Sequence, residues 1–472
     1  MENLVIIGAG PAGLGAAYEL AKRGVTCTVF DKNNQVGGLA RTFEYKGFRF
    51  DVGPHRFYTK NDEVNRFWHE ILGKDFIPVK RLTRIYYRGK FFQYPIQPLD
   101  AFLKLGLFTS TTVALSYLKG GLFRSKEEPK NFEEWMIRNF GKKLYEIFFK
   151  TYTEKVWGIP CRELGPEWAN QRIKNLNLWE AVKNALWKGR RSRAKSLVEQ
   201  FHYPRAGAGM LYERMKEIIE AGGSRVHLGT TVKKIHHRNG TITGLEAAAP
   251  EKSREVPVSY LFSSAPITFF VQHLHPKPPV RVLEAAAQLY YRDHITVNLV
   301  INRNNLFPDQ WIYIHDPAVR MARVANYVNF SSAMSPTPHK TPLSVEYFAF
   351  ADKDDLWEMN DKALIDLALR ELTAAGLITR RDTTGADGFV VREKDSYPTY
   401  YTGHKAQFDI LKEYASRFTN LQLIGRAGMY KYNNQDHALL TGFLAARNFL
   451  GEKNDIWSVN AEDEYLETQH KP

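Results

Sequence analysis

Residues 4–31, LVIIGAGPAGLGAAYELAKRGVTCTVFD, constrain the fold more than any other stretch of this chain. Leu4, Val5, Ile6 and Ile7 are four apolar residues in a row, as in a strand covered on both faces of a parallel sheet. Gly8, Gly10 and Gly13 follow in a G-x-G-x-x-G spacing that includes Pro11 and Ala12, and run into a helix-compatible stretch ending at Gly24. In that spacing Gly8 serves the tight turn, Gly10 lets backbone approach a pyrophosphate, and Gly13 lets helix and strand pack closely. The phosphates would rest on free N–H groups at the helix start. A second apolar run, residues 25–30, ends on Asp31, which is placed to accept hydrogen bonds from an adenosine ribose. The expectation is a dinucleotide-binding βαβ unit; the competing reading is a glycine turn that merely packs.

Size and charge fit an enzyme of several parts. At 472 residues the chain can hold two or three domains and a large core. Cys27 and Cys161 are the only cysteines, so no disulfide framework is expected and a reducing, cytoplasmic setting fits. The first strand begins at once, which leaves no room for a signal peptide. The net charge of +14 favours a polyanion, an anionic membrane surface or an anionic substrate. No Cys/His cluster of zinc type and no readable Ser-His-Asp arrangement is present, so no metal is expected.

Further along, Phe48 and Phe50 alternate with polar residues as in a half-buried strand before the Gly53-Pro54 turn. Residues 82–95 read as a hairpin around Arg88-Gly89-Lys90. Residues 101–122 read as one mostly apolar helix capped by Asp100, with peripheral membrane contact as its alternative use. Residues 131–150 read as a helix capped by Asn131, with Phe132, Met136, Phe140, Leu144 and Phe148 forming a core ridge. The basic run 188–195, KGRRSRAK, reads as a solvated loop, and no nucleic-acid module accompanies it. Arg238-Asn239-Gly240 marks a second hairpin. An apolar strand at 421–424 leads to Gly425-Arg426 and a helix from about Asp436, with His437 in a structural role at its start.

Gly37-Gly38, followed by Leu39, Ala40 and Arg41, stands six residues past Asp31, with Lys32 between. This arrangement resembles the flavoproteins of the amine oxidase superfamily, which implies FAD. Four stretches also resemble the UDP-galactopyranose mutase family: VGPHRFYTKNDEV at 52–64, NFEEWMIRNFGKKLYEIFFKTYTEKVWG at 131–158, YPTYYTG at 397–403 and GRAGMYKYNNQDHALLTG at 425–442. The resemblance implies that Gly53, Pro54, Gly425, Arg426 and Asp436 meet FAD, with His55 against the isoalloxazine and Val232 at the adenine through its backbone. It implies His55, Arg323, Tyr397 and Tyr430 as catalytic candidates, with Arg323 and Tyr397 facing a diphosphate. The competing readings are a satisfied loop histidine at His55, a surface ion-pair residue at Arg323, and core aromatics with tethered hydroxyls at Tyr430 and Tyr432. Trp157, Arg172 and Tyr432 would line the substrate. Two departures matter. Tyr58 stands where the mutases have a second histidine, and Asn175 stands where they have a second arginine, three residues from Arg172. An amide cannot replace a bidentate guanidinium. Residues 344–361 look more like the oxidase and desaturase side of the superfamily.

The expected fold is α/β: a Rossmann-type, glutathione-reductase-like FAD domain from residues 1–75, 200–265 and 385–450. Within it sit a largely helical insertion at 76–199 and an α+β substrate domain at 266–384, with a tail at 451–472. The expected function is that of an FAD-dependent oxidoreductase on a small molecule, a sugar nucleotide or a polyprenyl-linked compound, with NAD(P)H as a candidate electron donor. The alternative is a mutase that isomerises a sugar ring on reduced FAD. A third reading is a non-catalytic, flavin-stabilised protein at a membrane. The oligomeric state stays open.

Overall fold

The computed structural model describes residues 3–122, 127–168, 200–249 and 252–460. The apolar run Leu4–Ile7 is a strand with all four residues buried. It is the middle of a five-stranded, all-parallel sheet in the order Leu421–Leu423, Tyr260–Ser263, Leu4–Ile7, Thr28–Phe30, Arg225–His227. The helix Pro11–Lys22 covers one face and packs along Gln435–Phe449. Gly13 shows why this unit needs its third glycine: a Cβ there would stand 1.8 Å from the carbonyl oxygen of Gly8. The other face is covered by a four-stranded sheet built on the hairpin Thr231–Arg238 and Thr241–Ala249, whose Val232, Ile235 and Leu245 pack with Val5, Ile7 and Phe30.

The second large layer is a seven-stranded sheet, Asp387–Pro398, Tyr291–Ile301, Thr341–Ala349, Arg323–Asn326, Trp311–Ile314, Thr83–Tyr87, Lys90–Gln93. Every residue of Tyr291–Ile301 and Thr341–Ala349 is buried, because the helix Asp361–Ala374 packs on one face and the central cavity's walls rise from the other. Two of its strands cross the expected boundaries. Thr83–Tyr87, from the stretch read as a helical insertion, pairs in parallel with Trp311–Ile314. Asp387–Pro398, from the last cofactor stretch, pairs along its length with Tyr291–Ile301. Long-range pairing of this kind leaves no local mark in a sequence.

The helical stretch between them is more broken than its apolar pattern predicts. Residues 101–122 form two helices, Pro98–Leu105 and Leu107–Leu122, separated at Gly106. Asp100 is not the cap: it lies in the first turn, accepts from the Gln93 N–H and pairs with Lys104. Asn131 does cap Phe132–Phe140, its side chain accepting from the Glu134 N–H at 2.9 Å. That helix stops at Gly141, and the chain continues as shorter turns to Thr151–Trp157. The ridge of Phe132, Met136, Phe140, Leu144 and Phe148 is nonetheless buried throughout. Both predicted hairpins form, with Arg88, Gly89, Asn239 and Gly240 all in the left-handed region that two-residue turns demand. His437 accepts from the Asn434 N–H, completing a capping box at the start of Gln435–Phe449.

Candidate active site

A cavity of about 460 Å³ runs between the two large sheets. Its cofactor end is made of backbone. Gly8, Gly10, Pro11, Ala12, Asp31, Lys32, Gly38, Leu39 and Val232 line it. A Cβ on Gly38 would stand 3.1 Å from the Gly10 Cα, so the two glycines form a floor without side chains. The buried Asp31 carboxylate accepts from the backbone N–H groups of Ala9 (2.7 Å) and Asn33 (2.8 Å). Each oxygen keeps further acceptor capacity for a ribose hydroxyl. Thr230 donates its N–H to the Asp31 carbonyl, which brings Val232 to the same end. Gly13 and Gly37 support this floor from behind; the Gly37 N–H donates to the Ala9 carbonyl at 2.8 Å. Arg41 does not line the cavity. It is buried, donates to the Gly38 carbonyl and pairs with Glu393, which does line it.

The far end is made of side chains. Gly53, Pro54, His55, Gly425, Arg426 and Asp436 line it, and the helix starting at Gln435 brings its N-terminal end there, while that of Pro11–Lys22 meets the glycine floor. Those ends favour negative charge. The His55 Nδ1 lies 3.0 Å from the Gly53 carbonyl, and burial pushes its imidazole down to about 4. Arg426 donates to the carbonyls of Asn433 and Ser396 and stacks on Tyr397 and Tyr432, each ring centroid 4.9 Å away. The Asn433 Nδ2 is buried at this end with no acceptor. A side-chain-free floor, an acid with spare lone pairs, two helix N-termini and a buried amide donor suit a long anionic dinucleotide with a polar ring system.

Beyond it lies an aromatic chamber. Tyr397 and Tyr432 stack at 5.5 Å, with Tyr94, Tyr313 and Trp311 on the same cavity wall. Trp157 lies behind this wall, 6.4 Å from Tyr397 and buried, so it supports the chamber without lining it. Tyr430 departs from the catalytic reading and takes the core-aromatic one: it is buried, its hydroxyl sits 3.0 and 2.9 Å from the carbonyls of Tyr290 and Thr399, and it does not reach the cavity. Arg172, Asn175 and the basic run 188–195 lie outside the described residues.

Two of the residues that set the chamber's electrostatics, Glu346 and His294, are ones that sequence reading misses. Arg323 pairs directly across the sheet with Glu346, and His294 reaches the same carboxylate oxygen at 2.8 Å from the next strand. Glu346 is fully buried. Burial alone would raise its pKa, but Arg323 and His294 hold it down to about 2. Burial works against charge on Arg323, and Glu346 overrides it, keeping the guanidinium protonated. The Arg323 terminal nitrogen also lies 3.5 Å from the Tyr397 hydroxyl, and burial raises that phenol. Gly53 sits on this group: with φ of +81°, its Cβ would stand 3.0 Å from the Glu346 carboxylate. The available signal was a lone acid inside an otherwise buried strand, since such acids are almost always paired.

A Rossmann-type sheet with this crevice, facing an aromatic chamber, defines an FAD-binding flavoenzyme. The sequence profile described as flavin containing amine oxidoreductase matches residues 11–450, and the chain belongs to that family. It is 23% identical over 458 residues to "Probable UDP-galactopyranose mutase" of Klebsiella pneumoniae, covering 95% of each chain. It is 26% identical over 265 residues to 1-hydroxycarotenoid 3,4-desaturase of Flavobacterium sp. (strain P99-3), covering 52% of this chain and 53% of the relative. The solved structure of reduced UDP-galactopyranose mutase superposes with a TM-score of 0.84 over 99% of both chains at 22% identity, which establishes the shared fold.

Proposed function

We propose that this flavoenzyme is an oxidoreductase acting on a weakly charged, apolar or polyprenyl-like substrate, and that it does not grip a nucleotide diphosphate. The observation that carries this reading is the pairing of Arg323. The cation expected to face a diphosphate already has a buried carboxylate partner in Glu346, with His294 behind it. A diphosphate would have to compete with that anion in a site of low dielectric. The stacked Tyr397 and Tyr432 offer an apolar surface instead. The half-chain likeness to a carotenoid desaturase supports the same side.

FAD, when bound, supplies electron transfer at its isoalloxazine ring. The chain's own residues hold and shield. Asp31 and the glycine floor hold the adenosine and pyrophosphate, and Arg426 keeps Tyr397 and Tyr432 packed together. His55 stays neutral at neutral pH because burial disfavours its charged form. Glu346 keeps Arg323 and His294 in place beneath the Gly53 loop. The second reading, a ring-isomerising mutase, is favoured by the likeness to the Klebsiella protein over 95% of both chains.

Calorimetric titration with UDP separates the two, together with a chromatographic assay of dithionite-reduced enzyme on UDP-galactofuranose. The expected result is no measurable UDP binding and no ring expansion to the pyranose. UDP binding that disappears in Arg323→Ala, with turnover to the pyranose, establishes the mutase reading instead. Anaerobic addition of NADH and NADPH to the same preparation tests the electron donor: bleaching of the flavin band identifies it.

A further inference from the structure

The helix Leu107–Leu122 carries an apolar stripe on its outward face. Leu107, Phe108, Thr111, Ala114 and Leu115 follow the spacing of a single helix face, and all five are exposed. Phe108 is 82% exposed, Leu107 72% and Leu115 66%, and Leu103 on the preceding helix is 70% exposed. The opposite face is the packed one: Ser110 is buried, and the backbone at Tyr117 approaches Gly141 so closely that a Cβ there would stand 2.9 Å away. Among the described residues, five of the eight exposed large hydrophobic side chains fall within residues 102–115. Clustering of this kind marks an interaction surface, whereas scattered exposed leucines do not.

The rim of the patch is basic. The Lys90 ammonium donates to the Lys104 carbonyl at 2.6 Å, which holds the exposed hairpin tip of Arg88 and Lys90 against the turn between the two helices. Lys104 reaches back to the Phe91 carbonyl at 2.6 Å. From residue 88 to 104 the basic side chains are Arg88, Lys90 and Lys104, and the one acid, Asp100, is taken up by Lys104. Among the described residues no helix is long and apolar enough to cross a membrane. An uncharged apolar stripe with a cationic rim matches the layering of a bilayer surface, with acyl chains below and anionic headgroups above. A protein partner would need a matched shape, and a second copy would set this positive rim against itself.

We propose that the helix pair Pro98–Leu105 and Leu107–Leu122 seats the protein on the surface of an anionic lipid bilayer, with Leu103, Leu107, Phe108 and Leu115 in the acyl boundary. This docking does not depend on which redox or isomerase reading holds. Ile96, Leu105 and Val113 pack on the cluster that contains Trp157, and Tyr94 lines the cavity, so the docking face backs onto the aromatic chamber.

Flotation of the FAD-loaded full chain tests this, using vesicles of phosphatidylcholine alone and with phosphatidylglycerol. Co-flotation with the anionic vesicles, weakened by salt and much reduced on neutral ones, is the expected result. Leu107→Glu combined with Phe108→Glu should lower the partition coefficient by at least about ten-fold with flavin content unchanged. In a separate variant, Phe108→Trp, the new indole should be quenched by lipids brominated near the headgroup. Failure to float, flotation indifferent to the double glutamate variant, or an unquenched Trp at 108 each overturns the proposal. A concentration-dependent dimer that the glutamates dissociate, without vesicle binding, assigns the face to self-association.

Discussion

Asp31 lines the cavity and Glu346 lies buried behind the wall formed by Arg323 and His294, and the two acids are held by opposite means. Asp31 is held by two backbone N–H groups, one in the glycine turn at Ala9 and one two residues beyond the acid at Asn33. Glu346 is held by the side chains of Arg323 and His294, which arrive on two other strands. The cofactor end is therefore set by chain geometry, whereas the chamber is set by compensating charges. Damage to the first should cost the cofactor. Damage to the second should cost stability and substrate choice while leaving the cofactor bound.

The most severe break is expected at Gly13. Gly13→Ala forces a Cβ to 1.8 Å from the Gly8 carbonyl oxygen, so the purified variant should retain no FAD by its visible spectrum, or should fail to fold. Glu346→Gln comes next. Leaving Arg323 without its anion should cost about 2–4 kcal/mol in denaturant unfolding, discounted for the cavity-facing guanidinium, while FAD stoichiometry stays unchanged. Adding Arg323→Met should recover more than half of that loss; no recovery would show that Glu346 serves something other than this pair. Asp31→Asn should weaken FAD by about 10- to 100-fold in a fluorescence titration of apoprotein, with little effect on the chamber.

The smallest effect concerns pH. His55 has an ordinary pKa of 6.5 and is pushed down to about 4 by burial. The unfolded chain therefore takes up this proton first, and stability falls as pH drops from about 6.5 toward 4, with no effect above that window. Between pH 6.5 and 5 the difference between wild type and His55→Gln should change by about 1–2 kcal/mol. Glu346, held at about 2, adds its own loss only below about 4.5, so the two regions titrate apart.

This division also governs what the sequence reveals. Gly8, Gly10, Gly13 and Asp31 act through local spacing, and the structure places Gly8, Gly10 and Asp31 along the cavity with Gly13 packed directly behind. The Phe132–Phe148 ridge was equally legible, although the helix carrying it stops at Gly141, where the close approach of Tyr117 could not be read. Arg323, Tyr397 and Tyr432 line the cavity, yet the partner that changes the meaning of Arg323 did not show in the sequence. Glu346 is 23 residues away in sequence and meets Arg323 only through sheet register. Tyr430 takes the core-aromatic reading of its two, and the carbonyls of Tyr290 and Thr399 that tether its hydroxyl are partners no local pattern announces.

The parallel sheet has one further consequence, for the order of events during synthesis. Its central strand, Leu4–Ile7, is made first, but its neighbour Tyr260–Ser263 and the edge strand Leu421–Leu423 arrive far later. The helix Pro11–Lys22 likewise waits for Gln435–Phe449. At ribosomal speeds that wait is on the order of tens of seconds. Throughout it the glycine turn has no finished sheet beneath it. Flavin capture is therefore expected near the end of translation, once Tyr260–Ser263 lies between the first strand and the last.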